Sequence, residues 1–338
     1  MKTAVFAYSR RGCETARRVR DFLSGDVFLY TLPRFDAPDF EPLGRPAEAF
    51  YGAAFEWADA LIFVGSCGIA VREIAPHVKS KTSDPAVLCI DERGTFVIPL
   101  LSGHIGGANR LARNLAEALA ALPVITTATD VNRLFAVDEW AAQKGFLLSD
   151  LGAAKAVSAE ILERPVPLSS AFPIRGELPA GVVCGTSGAV GIAVSVKTDE
   201  PFAKTLRVIP RALTLGIGCR KGTPQAVICA AVESALAAAH LDIRAVRAAS
   251  SIDLKKEEAG LLAFCESLRI PITFYTAEQL REAPGTFSPS AFVKSVTGVD
   301  NVCERAAALS GGRLILKKTA ANGVTVAAAL DPVEVDFG

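Results

Sequence analysis

Apolar runs of strand length, each closed by a turn rich in glycine, serine or proline, recur along this chain and restrict it to a layered α/β fold. Thr3–Tyr8, Ala58–Val64 and Ala86–Ile90 are nearly continuous in apolar residues. A strand buried on both faces reads this way, whereas a strand with one wet face alternates. Segments of helical period separate many of the runs. Cys13–Leu23 places Ala16, Val19, Phe22 and Leu23 on one face, and Gly106–Leu122 does the same with Leu111, Leu115, Ala118, Leu119 and Leu122. Ile69–Val78 is a further helix, while Val27–Tyr30, Thr95–Leu100 and a run starting at Pro123–Ile125 are further strands. The proline-rich stretch from Pro33 to Pro46 is expected to be largely loop. Strands alternating with helices imply βαβ units and a mostly parallel sheet.

The pattern fades between about residues 130 and 208. Helices are expected near Asn132–Lys144 and Ala153–Leu162, then short extended pieces broken by Pro165, Pro167, Pro173 and Pro179. It returns with the strand Ala212–Ile217 and a helix to about Ala239, for which Thr223 is the expected cap and Pro224 the first residue. Ala245–Ala248, Lys256–Leu268, Ile272–Tyr275 and Ala277–Arg281 continue the alternation, and Arg313–Lys317 and Val324–Leu330 form an edge pair turned by Asn322-Gly323. The expected fold class is α/β, with two doubly wound, mostly parallel-sheet domains joined by a smaller linking middle domain. The boundaries fall at 1–128, 129–209 and 210–338.

Charge narrows the partners. The 36 basic and 36 acidic residues cancel, and the longest basic runs are pairs such as Arg10-Arg11, Lys255-Lys256 and Lys317-Lys318, so neither a nucleic-acid track nor a basic tail is present. No apolar window reaches the length a bilayer needs, and the first apolar run is too short for a signal peptide, so a cytoplasmic protein is expected. The 8 cysteines include no C-x-x-C pair, which leaves a zinc site unsupported, and only 3 histidines, His77, His104 and His240, are available for imidazole chemistry.

Open α/β sheets bind ligands beyond the carboxyl ends of their strands. Among the loops expected there, Leu101-Ser102-Gly103-His104-Ile105-Gly106-Gly107-Ala108-Asn109 is the richest in chemistry. Its glycines allow close backbone approach, the following helix offers N–H groups to an anion, and His104 titrates near neutrality. A tight turn capped by Ser102 or Asn109 accounts for the same residues. Gly65-Ser66-Cys67-Gly68 with Arg72 reads either as a carboxylate site or as a helix start with a surface arginine. The string Gly216-Ile217-Gly218-Cys219-Arg220-Lys221-Gly222-Thr223 fails the dinucleotide fingerprint because its third glycine is one position late, and fails the P-loop because Lys221 precedes Gly222. What remains is a basic, glycine-rich loop suited to a carboxylate-bearing ligand. Ser251 or Asp253 is a helix cap, and Glu304 is either a carboxylate base or an exposed first-turn glutamate.

Taken in order, Gly65–Arg72, Asp84–Val87, Leu100–Asn109, Gly216–Thr223, Ser251–Gly260 and Gly298–Ala307 resemble the cobalt-precorrin-5A hydrolases. The resemblance spans nearly the whole chain and is weakest from about 130 to 208; the Ser-Gly-His-x-Gly-Gly-Ala-Asn and Gly-Ile-Gly-Cys-Arg-Lys-Gly-Thr strings are its most distinctive parts. It implies a hydrolase acting on a carbon–carbon bond in anaerobic cobalamin (vitamin B12) biosynthesis. Such an enzyme opens the ring-A δ-lactone of cobalt-precorrin 5A and releases acetaldehyde, leaving cobalt-precorrin 5B. The cobalt arrives inside the corrinoid substrate, so no cofactor or protein metal site is expected, and neighbouring pathway enzymes are the expected partners. Residue chemistry then suggests His104 as general base or water-orienting group, with Ser102 and Glu304 as further catalytic candidates. The N–H groups of Gly106 and Gly107 are the expected oxyanion donors. Substrate contacts are expected at Ser66, Gly68, Arg72, Gly103, Gly106, Gly107 and Asn109, and at Gly218, Cys219, Arg220, Lys221, Gly222, Thr223 and Ser251. A cleft between the first and third domains is their expected place. A non-catalytic corrinoid carrier would use the same loops without needing His104. A nucleotide-sugar or methyl transferase lacks its phosphate or adenosyl loop here, and a scaffold role leaves the glycine-rich loops unexplained.

Overall fold

Strand burial organises the first unit, Met1–Glu139, in the computed structural model, which describes residues 1–35, 37–80, 83–104 and 106–338. Ile105, inside the glycine-rich loop, lies outside the described residues. The strands are β1 (Lys2–Ala7), β2 (Asp26–Thr31), β3 (Glu41–Pro42), β4 (Ala60–Val64), β5 (Ala86–Ile90), β6 (Phe96–Leu101) and β7 (Leu122–Pro123), in the order β3-β2-β1-β4-β5-β6-β7. β4 and β5 are buried along their whole length because helices cover both faces. Helices α1 (Arg10–Phe22) and α4 (Ala108–Leu119) pack on Val5, Ile62, Leu88 and Ile90. On the other face α2 (Ala47–Trp57) and α3 (Cys67–Ile74) cover Phe6, Leu61, Phe63 and Val87.

One strand runs against expectation, and it decides where the chemistry lies. β6 is antiparallel to β5, with Leu101 opposite Val87 and Val97 opposite Ile90. No helix separates the two strands. The Asp91 carboxylate accepts from the N–H groups of Arg93, Thr95 and Phe96, and Gly94 turns the chain at φ +71°. The carboxyl end of β6, and the glycine-rich loop after it, therefore lie at the amino ends of β4 and β5.

A second correction concerns the helix expected over 132–144. The chain instead forms α5 (Ala128–Val131) and α6 (Val137–Gln143), broken where Arg133 takes φ +54°. The first unit accordingly extends to Glu139, beyond the boundary expected at 128.

Trp140–Gly338 form the other unit, so the middle and C-terminal segments belong together. After α6 come β8 (Leu147–Leu148), α7 (Leu151–Glu163), β9 (Val166–Ser170), β10 (Ile174–Arg175), β11 (Val182–Cys184), β12 (Val190–Val194) and β13 (Lys204–Ile209). The middle segment is more than a linker: it builds a sheet β11-β9-β12-β13-β8, parallel except for β8. The C-terminal sheet, β16-β15-β14-β18-β17, comprises β14 (Leu213–Cys219), β15 (Val246–Ile252), β16 (Ile272–Tyr275), β17 (Arg313–Ala321) and β18 (Val324–Leu330). Its helices are α8 (Gln225–Ala238), α9 (Ala259–Ser267), α10 (Ala277–Arg281), α11 (Ala291–Thr297) and α12 (Cys303–Gly311), and β19 (Val335–Asp336) returns to pair with β10. The Asp242 carboxylate joins the two sheets by accepting from Arg207 of β13 at 2.6 Å and from Arg244 at 2.7 Å. The Asn322-Gly323 hairpin is present as expected, with both residues at positive φ. Helix α8 starts one residue late: Pro224 is its N-cap, and the Thr223 hydroxyl donates to the Arg220 carbonyl instead of capping.

Candidate functional site

The loop between β6 and α4 is folded tightly onto itself. Ser102 takes φ +57°, and its hydroxyl donates to the Asp84 carbonyl at 2.9 Å. The carbonyls of Ser102 and Gly103 accept from Ala108 N and Asn109 N. Glycine is required at two points of close approach: a Cβ on Gly106 would lie 2.4 Å from Ser102 Cβ, and one on Gly103 would lie 2.8 Å from Asn109 Oδ1. The same economy removes part of the expected oxyanion site. Gly107 N donates to the His104 carbonyl at 2.9 Å, so the first N–H groups of α4, at Gly107, Ala108 and Asn109, are spent inside the loop.

His104 projects from this loop into a ring of polar side chains. Its Nε2 lies 3.0 Å from Asp130 Oδ2 and its Nδ1 lies 3.4 Å from Asp138 Oδ1, with all three side chains no more than 15% exposed. Asp130 is held in turn by Asn109 Nδ2 at 2.8 Å and by the Arg113 guanidinium. Asn109 and Arg113 are four residues apart on α4 and so share one face. Asn109 also donates to Thr127 Oγ1 at 3.0 Å, and the Thr129 hydroxyl lies 3.3 Å from Nε2. The break between α5 and α6 makes this ring possible. Along one continuous helix residues eight apart are about 12 Å apart; the broken chain brings Asp130 and Asp138 to opposite sides of one imidazole.

The electrostatics follow. The hydrogen bond that the ring donates to Asp138 raises the His104 pKa, burial opposes it, and the Asp138 charge and Asp130 add to the rise, which reaches about 9. Asp130 is nearer, but it shares its charge with Arg113 and Asn109. Burial pushes the Asp138 carboxyl up, yet the His104 hydrogen bond and charge, with backbone N–H donors, leave it below the ordinary range. His104 is therefore a cation at neutral pH. The base role expected for it needs a free ring nitrogen, and both nitrogens face carboxylates.

The other expected residues fall into separate places. Ser66, Gly68 and Arg72 lie after the carboxyl end of β4, across the sheet from His104 by the length of a five-residue strand, roughly 15 Å. Ser66 caps α3 by position without a side-chain bond, and Arg72 is exposed. In the second unit Gly218 and Cys219 end β14, and Arg220, Lys221, Gly222 and Thr223 form the loop after it, where Gly222 N donates to Glu258 at 2.8 Å and Lys255 pairs with Glu258 at 2.9 Å. Lys255 and the Gly222 N–H hold the Glu258 carboxyl below its usual range, while Arg220 and Lys221 remain exposed. Ser251 is corrected to a structural role: it is fully buried and donates to the Ile217 carbonyl at 2.6 Å. Glu304 is corrected as well. Its side chain is 0% exposed, and it accepts from Ser288 N and Oγ, Asn301 Nδ2 and Lys318 N at 2.6–3.0 Å. That carboxylate ties a loop and β17 to α12 and has no room for a substrate proton.

Asp130, Asp138, Thr129 and Arg113 are absent from the sequence reading. No motif spacing marks the two aspartates; the available signal was the i, i+4 pair Asn109/Arg113 directly after the loop, which points a polar helix face toward whatever follows α4. Among the described residues no group of three or more His, Cys, Asp or Glu is gathered for a metal ion, and no helix is long and apolar enough to cross a membrane.

Residues 49–130 match the cobalamin synthesis G N-terminal family, and residues 213–329 match the cobalamin synthesis G C-terminus. The cobalt-precorrin-5A hydrolase of Salmonella typhimurium is 38% identical over 338 residues, covering 96% of this chain and 96% of that protein. The Priestia megaterium cobalt-precorrin-5A hydrolase is 33% identical over 361 residues, covering 98% and 95%. Protein CobE of Sinorhizobium is 36% identical over 121 residues, 35% of this chain and 79% of that protein. Similarity that runs end to end at this level places the chain in the cobalt-precorrin-5A hydrolase family.

Proposed function

We propose that this chain hydrolyses the ring-A δ-lactone of cobalt-precorrin 5A and releases acetaldehyde, leaving cobalt-precorrin 5B. The observation that carries the reading is the His104 site: a half-buried imidazole gripped by two carboxylates in a strand-to-helix loop, within a chain that aligns end to end with two hydrolases of this name. A carrier has no need of such a group. Water adds to the lactone carbonyl and the acyl–oxygen bond breaks, giving a carboxylate and an alkoxide at C20. The alkoxide closes to the aldehyde as its bond to the ring carbon breaks, and that electron pair stays on the macrocycle. The cobalt belongs to the substrate. Arg220 and Lys221 are exposed cations of a kind that can meet the peripheral carboxylates of a corrinoid.

The test is anaerobic incubation of the purified protein with cobalt-precorrin 5A and assay of acetaldehyde. Wild type releases it, and His104→Ala loses about 10²–10³ in rate, as expected for removal of a donor to a developing charge. Tight corrinoid binding by wild type with no acetaldehyde overturns the hydrolase in favour of the carrier.

A further inference from the structure

A neutral imidazole offers one N–H and one lone pair, whereas the charged ring offers two N–H groups. Each His104 nitrogen faces a carboxylate, Asp130 at 3.0 Å from Nε2 and Asp138 at 3.4 Å from Nδ1. A neutral ring would aim its lone pair at a carboxylate oxygen, so this arrangement needs both nitrogens protonated. We infer that Asp130 and Asp138 are positioning residues that hold His104 as an imidazolium, so that the ring enters hydrolysis as a charged hydrogen-bond donor instead of a base. The donor role rests on the proposed lactone hydrolysis; the charge of the ring does not.

The two carboxylates do different work. Asp130 on α5 is anchored by Asn109 and Arg113 from α4, with Thr129 beside it, and Arg113 also reaches Glu139 at 3.6 Å. Asp138, in the first turn of α6, makes the longer contact to the ring and takes the Glu139 N–H at 3.1 Å. The nitrogen that can change partner is therefore Nδ1, while Asp130 keeps the ring in place through Nε2. A lactone carbonyl oxygen that takes the place of Asp138 receives the Nδ1–H. As water adds to the carbonyl carbon and gives one proton to solvent, the charge gathering on that oxygen is met by the imidazolium. When the C=O re-forms, the acyl–oxygen bond breaks and its pair leaves on the alcohol oxygen, with the ring still charged. Such a donor replaces the Gly107 N–H, which the loop has already used.

The experiment reads the proton and the rate separately. Nitrogen-15 NMR of the protein follows His104 across pH, with the His104→Gln protein used to assign its signal. The wild-type ring should stay doubly protonated through neutrality and titrate near pH 9. Asp138→Asn should lower that midpoint by at least one pH unit, and Asp138→Glu should restore it. Acetaldehyde release should show an alkaline limb in kcat/KM, which reports the free protein, that moves with the same midpoint in each variant. An Asp138 of merely structural importance would lower kcat/KM equally at every pH and leave both midpoints in place, which overturns the inference. So does a His104 that titrates at an ordinary value of about 6.5, or a kcat/KM that rises with pH through neutrality. Wild type that releases no acetaldehyde at any pH overturns the hydrolase reading instead, and the NMR midpoint still decides the clamp.

Discussion

Glu304 and His104 invite direct comparison. Each is a titratable side chain near the start of a helix, beside a loop of polar residues, and each is enclosed by hydrogen-bond partners. Their partners differ in kind. Glu304 is satisfied by the backbone N–H groups of Ser288 and Lys318, with the side chains of Ser288 and Asn301. None of those donors can change its charge near neutral pH, so the cluster is fixed once it forms. His104 is satisfied by two carboxylates on separate short helices, one of them tied to an exposed arginine. Both ring contacts of His104 depend on the charge of the imidazole. Burial alone does not separate a structural polar group from a reactive one; the chemistry of the partners does.

The largest effect that would break this comparison is expected on the structural side. Glu304→Ala leaves several buried donors without an acceptor and should destabilise the second unit by about 3–5 kcal/mol. Denaturant unfolding measures it, and acetaldehyde turnover per folded molecule should be retained. A stable Glu304→Ala protein with no turnover would return Glu304 to the catalytic set.

A smaller effect separates the clusters by pH. The folded-state pKa of His104 is raised to about 9, against about 6.5 for an unfolded histidine. The stability this gives is fully present below about pH 6.5 and is lost as the pH rises through about 9, on the order of 3 kcal/mol. At the acid end the lowered Asp138 pKa works with the opposite sign: its contribution is present above the ordinary carboxylate range and lost as the pH falls through the depressed value. Unfolding free energy of the wild type should therefore drop between pH 6.5 and 9.5 by more than that of His104→Gln. Equal pH slopes in the two proteins would mean that the clamp does not form.

The sequence made the Glu304 cluster hard to see and half of the His104 cluster easy. A glutamate in the first turn of a helix is ordinary, and nothing in the chain announces that Ser288 and Lys318 will meet it, since those contacts span 16 and 14 residues. The His104 loop was legible because Gly103 and Gly106 are demanded by close packing inside the loop itself. The aspartates were not, because a helical reading over 132–144 hides the break that sets Asp138 against the ring. The buried runs at β4 and β5 were read correctly because two covered faces leave no polar positions. The reversal of β6 was missed although the only connection to it is Asp91-Glu92-Arg93-Gly94-Thr95, too short for a crossover helix and rich in turn residues. In the middle segment, strands as short as β8, β10 and β11 carry too little pattern to register.

The smallest effect concerns Ser102, which shares its loop with His104 but has a partner of the Glu304 kind, a backbone carbonyl. Its hydroxyl donates to Asp84 O at 2.9 Å while its backbone sits at φ +57°. Ser102→Ala removes the hydrogen bond, worth about 1 kcal/mol, and keeps the left-handed backbone. Ser102→Gly removes the same bond but relieves the backbone of a side chain in that region, a gain of about 0.5–1 kcal/mol. Glycine should therefore be the milder substitution, close to wild type in denaturant midpoint, with alanine about 1 kcal/mol below it. Both should retain acetaldehyde release within a few-fold, because an anchored hydroxyl does not attack the lactone. If both variants fold and both lose turnover by orders of magnitude, the hydroxyl leaves Asp84 during the reaction and acts on the substrate, and the loop then contributes two reacting groups instead of one.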